Sequence, residues 1–286
     1  LMFVYLTLHL LSTSLFQLLS RNLINKGVHK KMITTSWVIG LGVGGLVVFL
    51  IRYAPKGEVS DQLSNIPTNN WYWILLAIIS FVALMLVNGT AVKHLDANTF
   101  SLLMNFRLIL APIVGIIIFS ETVNQFRYLG GFAILVAIAI IAIATKRRYD
   151  NIGIFWGLMA AVALTAISSI EKHIIKATPV ETYMAIGFTF GAIIVTTINL
   201  KNIKQLKELL NTQMLLLATS RFFSAYFFVK SLSVGEYSLV SFISSSSIII
   251  IAFMSYFLLK EKENLKPKII STMITVLGIY IIYLAG

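Results

Sequence analysis

The sequence predicts an all-α integral membrane protein with ten transmembrane helices, arranged as two inverted five-helix repeats. The 286 residues are 58% hydrophobic and only 12% charged, whereas soluble domains average about half apolar and about a quarter charged. A bilayer core about 30 Å thick takes roughly 20 apolar residues per helix, so ten crossings use about 200 residues. The loops that remain are too short to hold a soluble catalytic domain.

Charge and cysteine content exclude several classes of protein. The chain has 23 Lys and Arg against 11 Asp and Glu, a net charge of +12. In so hydrophobic a chain this excess reflects loop orientation, so we expect a lipid bilayer and a small-molecule substrate as partners and no nucleic acid. The absence of Cys excludes disulfides, thiolate metal sites and a Cys nucleophile. We expect no cofactor and no metal.

Ten apolar runs bounded by charged or Pro- and Asn-containing segments predict the membrane spans. Eight of the ten contain no Asp, Glu, Lys or Arg. The first run lacks a basic flank and an Ala-x-Ala cleavage site, so it is predicted to be a transmembrane helix rather than a secretion signal. Because Leu1 stands where Met would begin a chain, we expect a non-standard start or a trimmed N-terminal tail. The predicted spans are 1–19, 32–51, 71–92, 97–119, 128–145, 152–170, 183–200, 212–229, 237–259 and 269–286.

The two halves of the chain resemble each other at a spacing near 140 residues. Residues 93–95 match 230–232, and residues 24–26 match 174–176. Glu121 matches Glu261, 140 residues later. These matches predict a first repeat over 1–145 and a second over 146–286, with five helices each. Because five is odd, the second copy must cross the bilayer in the opposite sense, which gives inverted repeats.

Loop charges support the inversion independently. The loops after predicted helices 1, 3, 5, 7 and 9 contain 15 Lys and Arg, and those after helices 2, 4, 6 and 8 contain 6. The opening loop of the first repeat carries four of these cations and its last loop one, whereas the second repeat has two and four. Taken literally, the positive-inside rule puts both termini outside. A missing basic tail would change that balance.

One stretch of the first half carries a family likeness. Residues 111–115 (Ala-Pro-Ile-Val-Gly), then 119–121 (Phe-Ser-Glu) and Gly130-Gly131, resemble the fourth-to-fifth helix signature of EamA-like members of the drug/metabolite transporter superfamily. Residues 247–261 with Gly278-Ile279 look like a second copy, with Ala252 in place of Pro112. The resemblance implies a ten-helix carrier, often an exporter of amino acids or other small metabolites, with a central cavity between the halves. Members commonly have both termini in the cytoplasm, which disagrees with the loop charges.

Two arginines lie inside predicted membrane spans, where a charge costs free energy. Arg107 lies about ten residues into the fourth predicted span and Arg221 about nine into the eighth, so each is roughly 15 Å deep at the helical rise of 1.5 Å per residue. Each costs about 3 kcal/mol on an insertion scale unless it faces a polar interior, and no acid lies in the middle of any predicted span. We therefore predict that they bind an anionic group of the substrate, a carboxylate or a phosphate. The alternatives are bonds to carbonyls freed at a kink, and snorkelling.

Other polar residues in the spans are predicted to share this substrate site or to control access to it. Each has a packing alternative, because serines in membrane helices often bond to their own backbone. Gly40 and Gly44 form a G-x-x-x-G pair for which packing inside the chain is favoured over a homodimer. The further substrate-binding candidates are Asn105, Ser244, Ser247, Asn88, Tyr226 and Trp156, and the gate or interface candidates are Glu121, Glu261 and Pro112.

Proton coupling usually requires an intramembrane carboxylate, and none is predicted. His9 is expected to be a hydrogen-bonded packing residue, and Glu171 is expected to end its helix and pair with Lys172. The sequence therefore favours a facilitator or exchanger over a proton-driven pump.

The predicted function is secondary transport of a small polar metabolite, such as an amino acid, organic acid or other anion-bearing solute. It would proceed by alternating access through a midplane cavity in a multi-pass protein of the cell (inner) membrane. A lipid-headgroup flippase is an alternative. A membrane receptor or assembly subunit would need a larger soluble loop or tail than this chain shows. An intramembrane enzyme has little support, because the sequence lacks H-E-x-x-H and G-x-S-x-G motifs and a Walker loop. The chain is therefore not expected to be an enzyme.

Overall fold

A computed structural model describes residues 1–94, 103–104, 106–122, 124–144, 151–199, 211–247, 249–251, 254 and 265–284. All regular secondary structure in these residues is helical. A single 3-10 turn, Ala54–Lys56, follows the second helix. The helices are α1 (Met2–Asn25), α2 (Lys30–Tyr53), α3 (Val59–Ser64), α4 (Thr68–His94), α5 (Arg107–Phe119), α6 (Gln125–Ala144), α7 (Asn151–Ile174), α8 (Val180–Asn199), α9 (Thr212–Val234), α10 (Tyr237–Ser245) and α11 (Leu265–Leu284).

The apolar runs of the sequence form these helices. Each of the ten predicted spans overlaps one of them, and α3 is an additional helix of six residues. The prediction of an all-helical chain is therefore confirmed for the described residues. Within the part of the chain that the structure describes, five segments are long and apolar enough to cross a membrane: Met2–Asn25, Lys30–Lys56, Thr68–Asn88, Asn151–Ile174 and Val180–Asn199.

Three helix ends differ from the prediction in ways that affect the site. Helix α5 begins at Arg107, so Arg107 stands in the first turn of α5 and not ten residues into a helix. Helix α7 continues to Ile174 and α8 begins at Val180, so Glu171 and Glu181 both lie inside helices. Pro179 suits the position before a first turn, and an acid in a first turn interacts favourably with the helix dipole. The predicted spans stopped at residue 170 and started again at residue 183, so both acids lay outside them.

The chain divides into two compact units. Unit 1 comprises Leu1–Ala83 and Ile167–Ser233, and unit 2 comprises Leu84–Ala166 and Val234–Gly286. Each unit thus combines segments from the first and the second half of the sequence.

Glycines on α2 allow close helix packing in unit 1. A Cβ atom on Gly40 would lie 2.6 Å from the Cβ atom of Ala218 in α9, and one on Gly44 would overlap the ring of Phe222 in the same helix. Such distances permit only glycine at these positions. The G-x-x-x-G pair therefore serves packing inside unit 1, as the sequence favoured.

Buried polar side chains join α1 to α9 in the same unit. The Nδ1 atom of His9 lies 2.8 Å from the carbonyl oxygen of Ser224, so this ring nitrogen is the donor. The hydroxyl of Thr13 is 2.5 Å from that of Ser224. His9 is thus a hydrogen-bonded packing residue, as expected from the sequence.

Unit 2 is built on two helix pairs, α6 with α11 and α5 with α10. The first pair meets at two glycines. A Cβ atom on Gly130 would lie 2.5 Å from the carbonyl oxygen of Gly278, and one on Gly278 would lie 2.7 Å from the carbonyl oxygen of Gly130. The contact is reciprocal, because each glycine receives the backbone of the other.

Candidate functional site

Arg221 projects from α9 into an aromatic setting in unit 1. Its guanidinium carbon lies 5.3 Å from the ring centre of Phe16 and 5.2 Å from that of Trp37. Its Nε atom is buried and has no hydrogen-bond partner among the described residues. Aromatic faces stabilise the cation, but they leave that N–H donor unsatisfied, which costs free energy in a buried setting. Arg221 therefore keeps hydrogen-bonding capacity that an anion would satisfy.

Glu171 is the acid that interacts with Arg221. The side chain of Glu171 is only 6% exposed, and its charge and that of Arg221 act on each other electrostatically. The hydroxyl of Tyr183 donates to Glu171 Oε1 at 3.1 Å. Within the described part of the chain the Glu171 carboxylate forms no salt bridge. The sequence analysis placed no acid in the middle of a predicted span, and Glu171 lies in the last turn of α7.

The predicted pairing of Glu171 with Lys172 was also wrong. The Nζ atom of Lys172 donates to the carbonyl oxygen of Leu232, 2.5 Å away. Successive residues on a helix point about 100° apart, so neighbours do not face each other. Lys172 is therefore directed towards α9, and Glu171 towards Tyr183 of α8.

Arg107 is held by serines in unit 2. Its Nε donates to Ser245 Oγ at 3.0 Å and its Nη2 to Ser244 Oγ at 3.1 Å. Both serines in turn donate to the carbonyl oxygen of Ser241, at 2.8 and 3.1 Å, which orients their lone pairs towards the guanidinium. A cation in a first helical turn opposes the helix dipole, and these hydroxyls compensate for that. The structure thus brings Arg107 and Ser244 together, and Ser245, which sequence reasoning did not single out, joins them.

The remaining substrate-binding candidates stand apart. The Oδ1 atom of Asn88 in α4 is buried and has no hydrogen-bond partner among the described residues. Ser247 is 7% exposed, and the partly buried Trp156 makes an edge contact with the ring of Phe155. Asn105 lies outside the described residues. The role of each in substrate binding stays a prediction.

Tyr226 belongs to a cluster around Glu181. The sequence analysis did not identify this cluster, because the predicted span began at residue 183. The Glu181 carboxylate is 2% exposed and accepts from Arg52 Nη1 at 2.5 Å, Lys230 Nζ at 2.7 Å and the Tyr226 hydroxyl at 3.1 Å. We call these four residues the Glu181 cluster. It joins the last turn of α2, the first turn of α8 and the final turns of α9. The signal in the sequence was Pro179 followed by an acid, which is a helix-start pattern.

Of the gate or interface candidates, Glu121 has a defined role in unit 2. Its carboxylate accepts hydrogen bonds from the backbone N–H groups of Tyr237 and Ser238, and from the Ser238 hydroxyl. Glu121 thus caps the N-terminus of α10, where an anion is favourable. Pro112 is buried within α5. Glu261 lies outside the described residues.

Replacing Glu121 should destabilise α10. We expect Glu121→Ala to lower the free energy of unfolding by about 1–2 kcal/mol, the range for loss of a helix cap. Glu121→Gln retains an acceptor oxygen and should cost less. Thermal unfolding in detergent, followed by circular dichroism, measures both. Equal stability of the alanine variant and the wild type would show that the cap contributes nothing.

Comparison with known proteins agrees with the helical architecture and the sequence resemblance. Residues 151–284 match the model of the EamA-like transporter family. A solved crystal structure of a protein aligns with 99% of this chain and 98% of its own, with a TM-score of 0.79 and 13% sequence identity. At that identity the likeness shows the fold alone. The sequence matches no curated protein.

Proposed function

We propose that the chain is a multi-pass membrane transporter of the drug/metabolite type, because residues 151–284 match the model of the EamA-like transporter family. From this match we also propose its architecture, substrate class and mechanism. The chain is a secondary transporter of the cell membrane, built from ten transmembrane helices in two inverted repeats, 1–145 and 146–286. It moves a small polar solute that bears a carboxylate or phosphate. Transport proceeds by alternating access through a midplane cavity.

Helix packing supports the repeat architecture. In order of predicted spans, α2 and α8 are the second helices of their repeats, α5 and α10 the fourth, and α6 and α11 the fifth. These equivalent helices pack against each other, α2 with α8 in unit 1 and the other two pairs in unit 2. The reciprocal contact of Gly130 and Gly278 resembles the self-complementary contact made across a two-fold axis. Inverted repeats related by such an axis would pair equivalent helices in this way.

The charge arrangement around Arg221 carries the proposed substrate class. A guanidinium inside a membrane protein, with a buried Nε that lacks a hydrogen-bond partner among the described residues, recognises a planar anion well because its donors form a fixed fork. Phe16 and Trp37 supply an apolar wall that stabilises the cation without competing for those donors. In unit 2, the role of Arg107 as an anion contact stays a separate prediction, and Ser244 and Ser245 take two of its donors.

Uptake and efflux in proteoliposomes test this function. Radiolabelled glutamate, malate, inorganic phosphate and a hexose phosphate are compared with neutral and cationic amino acids, with protein-free liposomes as the control. The proposal expects at least one anion to move faster with protein present and the cationic solutes to stay excluded. Movement of neutral or cationic solutes alone would contradict the substrate class. Translocation of fluorescent phospholipids without movement of any free anion would favour the lipid-headgroup flippase.

A further inference from the structure

Unit 1 contains a buried carboxylate that the proposed transport function does not yet use. Glu171 is 6% exposed and receives one hydrogen bond, from Tyr183. A buried carboxylate without a contacting cation is costly as an anion, and intramembrane acids of this kind mark ion or proton sites in transporters. Glu171 is therefore a candidate for binding a transported proton.

The groups that face Glu171 leave it without a salt bridge in the described part of the chain. From α8, Tyr183 offers a neutral hydroxyl. On α7 itself, Lys172 is directed to a backbone carbonyl of α9, and the His173 ring packs 4.5 Å from the ring of Trp73 in α4. From α9, Arg221 acts through its charge. Among these neighbours, Arg221 is thus the cation whose charge acts on Glu171.

Glu181, in α8, is the other buried acid of unit 1 among the described residues, and it does not compete for this role. Its carboxylate contacts two cations, Arg52 and Lys230, and one phenol, Tyr226. Charge-assisted hydrogen bonds of this kind stabilise the carboxylate. The two buried acids of unit 1 therefore differ in kind. Glu181 forms ion pairs with two cations. Glu171 accepts one hydrogen bond from a neutral hydroxyl and interacts with the charge of Arg221 without forming a salt bridge among the described residues.

We propose that Glu171 takes up and releases a proton in step with anion binding at Arg221, so that the carrier couples solute movement to proton movement. This rests on the proposed function. When Glu171 is ionised, its charge partly neutralises the field of Arg221 and weakens the attraction for an anion. When Glu171 carries a proton, the full positive charge of Arg221 is available to the anion. Linkage makes the effect reciprocal, so a bound anion holds the proton on Glu171.

This proposal differs from the sequence-based preference for a facilitator or exchanger over a proton-driven pump. That preference relied on the absence of an intramembrane carboxylate, but α7 extends through Glu171. Anion and proton then travel together in the same direction. A carrier of this kind accumulates its anion on the alkaline side of the membrane.

A substrate-free measurement tests the proton site first. Infrared difference spectra between acidic and alkaline pH report the carbonyl stretch of protonated carboxyl groups. We expect a band in the wild type that is lost in Glu171→Gln and kept in Glu58→Gln. Glu58 is the matched control, since it precedes α3 and its side chain makes no capping bond. Tyr183→Phe removes the hydroxyl that favours the ionised form, so it should keep the band and move its pH midpoint towards alkaline pH. This variant tests the proposal even where Glu171→Gln does not fold.

Binding of radiolabelled glutamate and sulfate at acidic and alkaline pH tests the coupling. The acidic groups of these probes stay ionised from about pH 6 to about pH 8, so any change comes from the protein. We expect wild-type affinity to rise about tenfold on acidification, within the usual range of coupling between sites, and Glu171→Gln to bind equally at both pH values.

Each other outcome decides a different point. Spectra that are identical in the wild type and Glu171→Gln, or binding in Glu171→Gln that keeps the pH dependence of the wild type, would overturn the proton proposal. A band that depends on Glu171 together with no anion binding in any variant would overturn the anion contact, and with it the proposed substrate class.

Discussion

Glu181→Gln should be the most destabilising single substitution among the buried acids of unit 1. The change leaves Arg52 and Lys230 without the carboxylate that both contact. Breaking a buried ion pair costs about 3–5 kcal/mol, and we expect the lower end because Arg52 is half-exposed and keeps access to water. The melting temperature in detergent should fall accordingly, whereas Glu58→Gln should leave it unchanged.

The partners of Glu181 allow a sharper check. Lys230 is 16% exposed and Arg52 is 50% exposed, so Lys230→Met should cost more stability than Arg52→Gln. Lys230→Met combined with Glu181→Gln should cost less than the sum of the two single changes, because both remove the same contact. Additive losses would show that the charges do not interact, and the Glu181 cluster would then contribute through packing alone.

Arg221→Gln should weaken anion binding by about 10- to 100-fold, since a hydrogen bond to a charged group contributes about 1.5–3 kcal/mol and each 1.4 kcal/mol is tenfold. Arg221→Lys keeps the charge but loses the planar fork, so its affinity should fall between that of the wild type and that of Arg221→Gln. Equilibrium binding of radiolabelled glutamate and sulfate in detergent measures all three proteins.

Two controls separate binding from folding. Lys31→Gln removes the same charge from an exposed position in the first turn of α2, and binding should be unaffected. Arg107→Gln should weaken binding less than Arg221→Gln, because Ser244 and Ser245 already take two donors of Arg107. Equal affinity in Arg221→Gln and the wild type would make Arg221 a packing residue.

The helical composition of the chain could be predicted from the sequence because apolar runs of about 20 residues have few alternatives to helices in a bilayer. The helix ends could not be predicted, because polar residues near the end of a helix resemble loop residues. The error at residues 171 and 181 hid two buried acids. The preference for a facilitator or exchanger over a proton-driven pump depended on these predicted boundaries.

The site was predictable in its residue types but not in its pairing. The cost of a charge inside the membrane singled out Arg107 and Arg221. Sequence spacing could not show that Arg107 faces Ser244 and Ser245, or that Arg221 lies between Phe16 and Trp37. Each of these arginine contacts joins residues more than 130 positions apart in the sequence. Such contacts depend on which helices pack together. Tyr226 shows the same limit, because its partner Glu181 lies on another helix.

Counterflow in proteoliposomes tests the central claim most directly, namely that this chain carries an anion by alternating access with Arg221 as a ligand. Vesicles preloaded with an unlabelled anion are placed in the same labelled anion, and uptake is followed for the wild type, Arg221→Gln and Lys31→Gln. Preloading should accelerate labelled uptake in the wild type and in Lys31→Gln, and the acceleration should be lost in Arg221→Gln. Acceleration that persists in Arg221→Gln, or that occurs only with neutral and cationic solutes, would contradict the account.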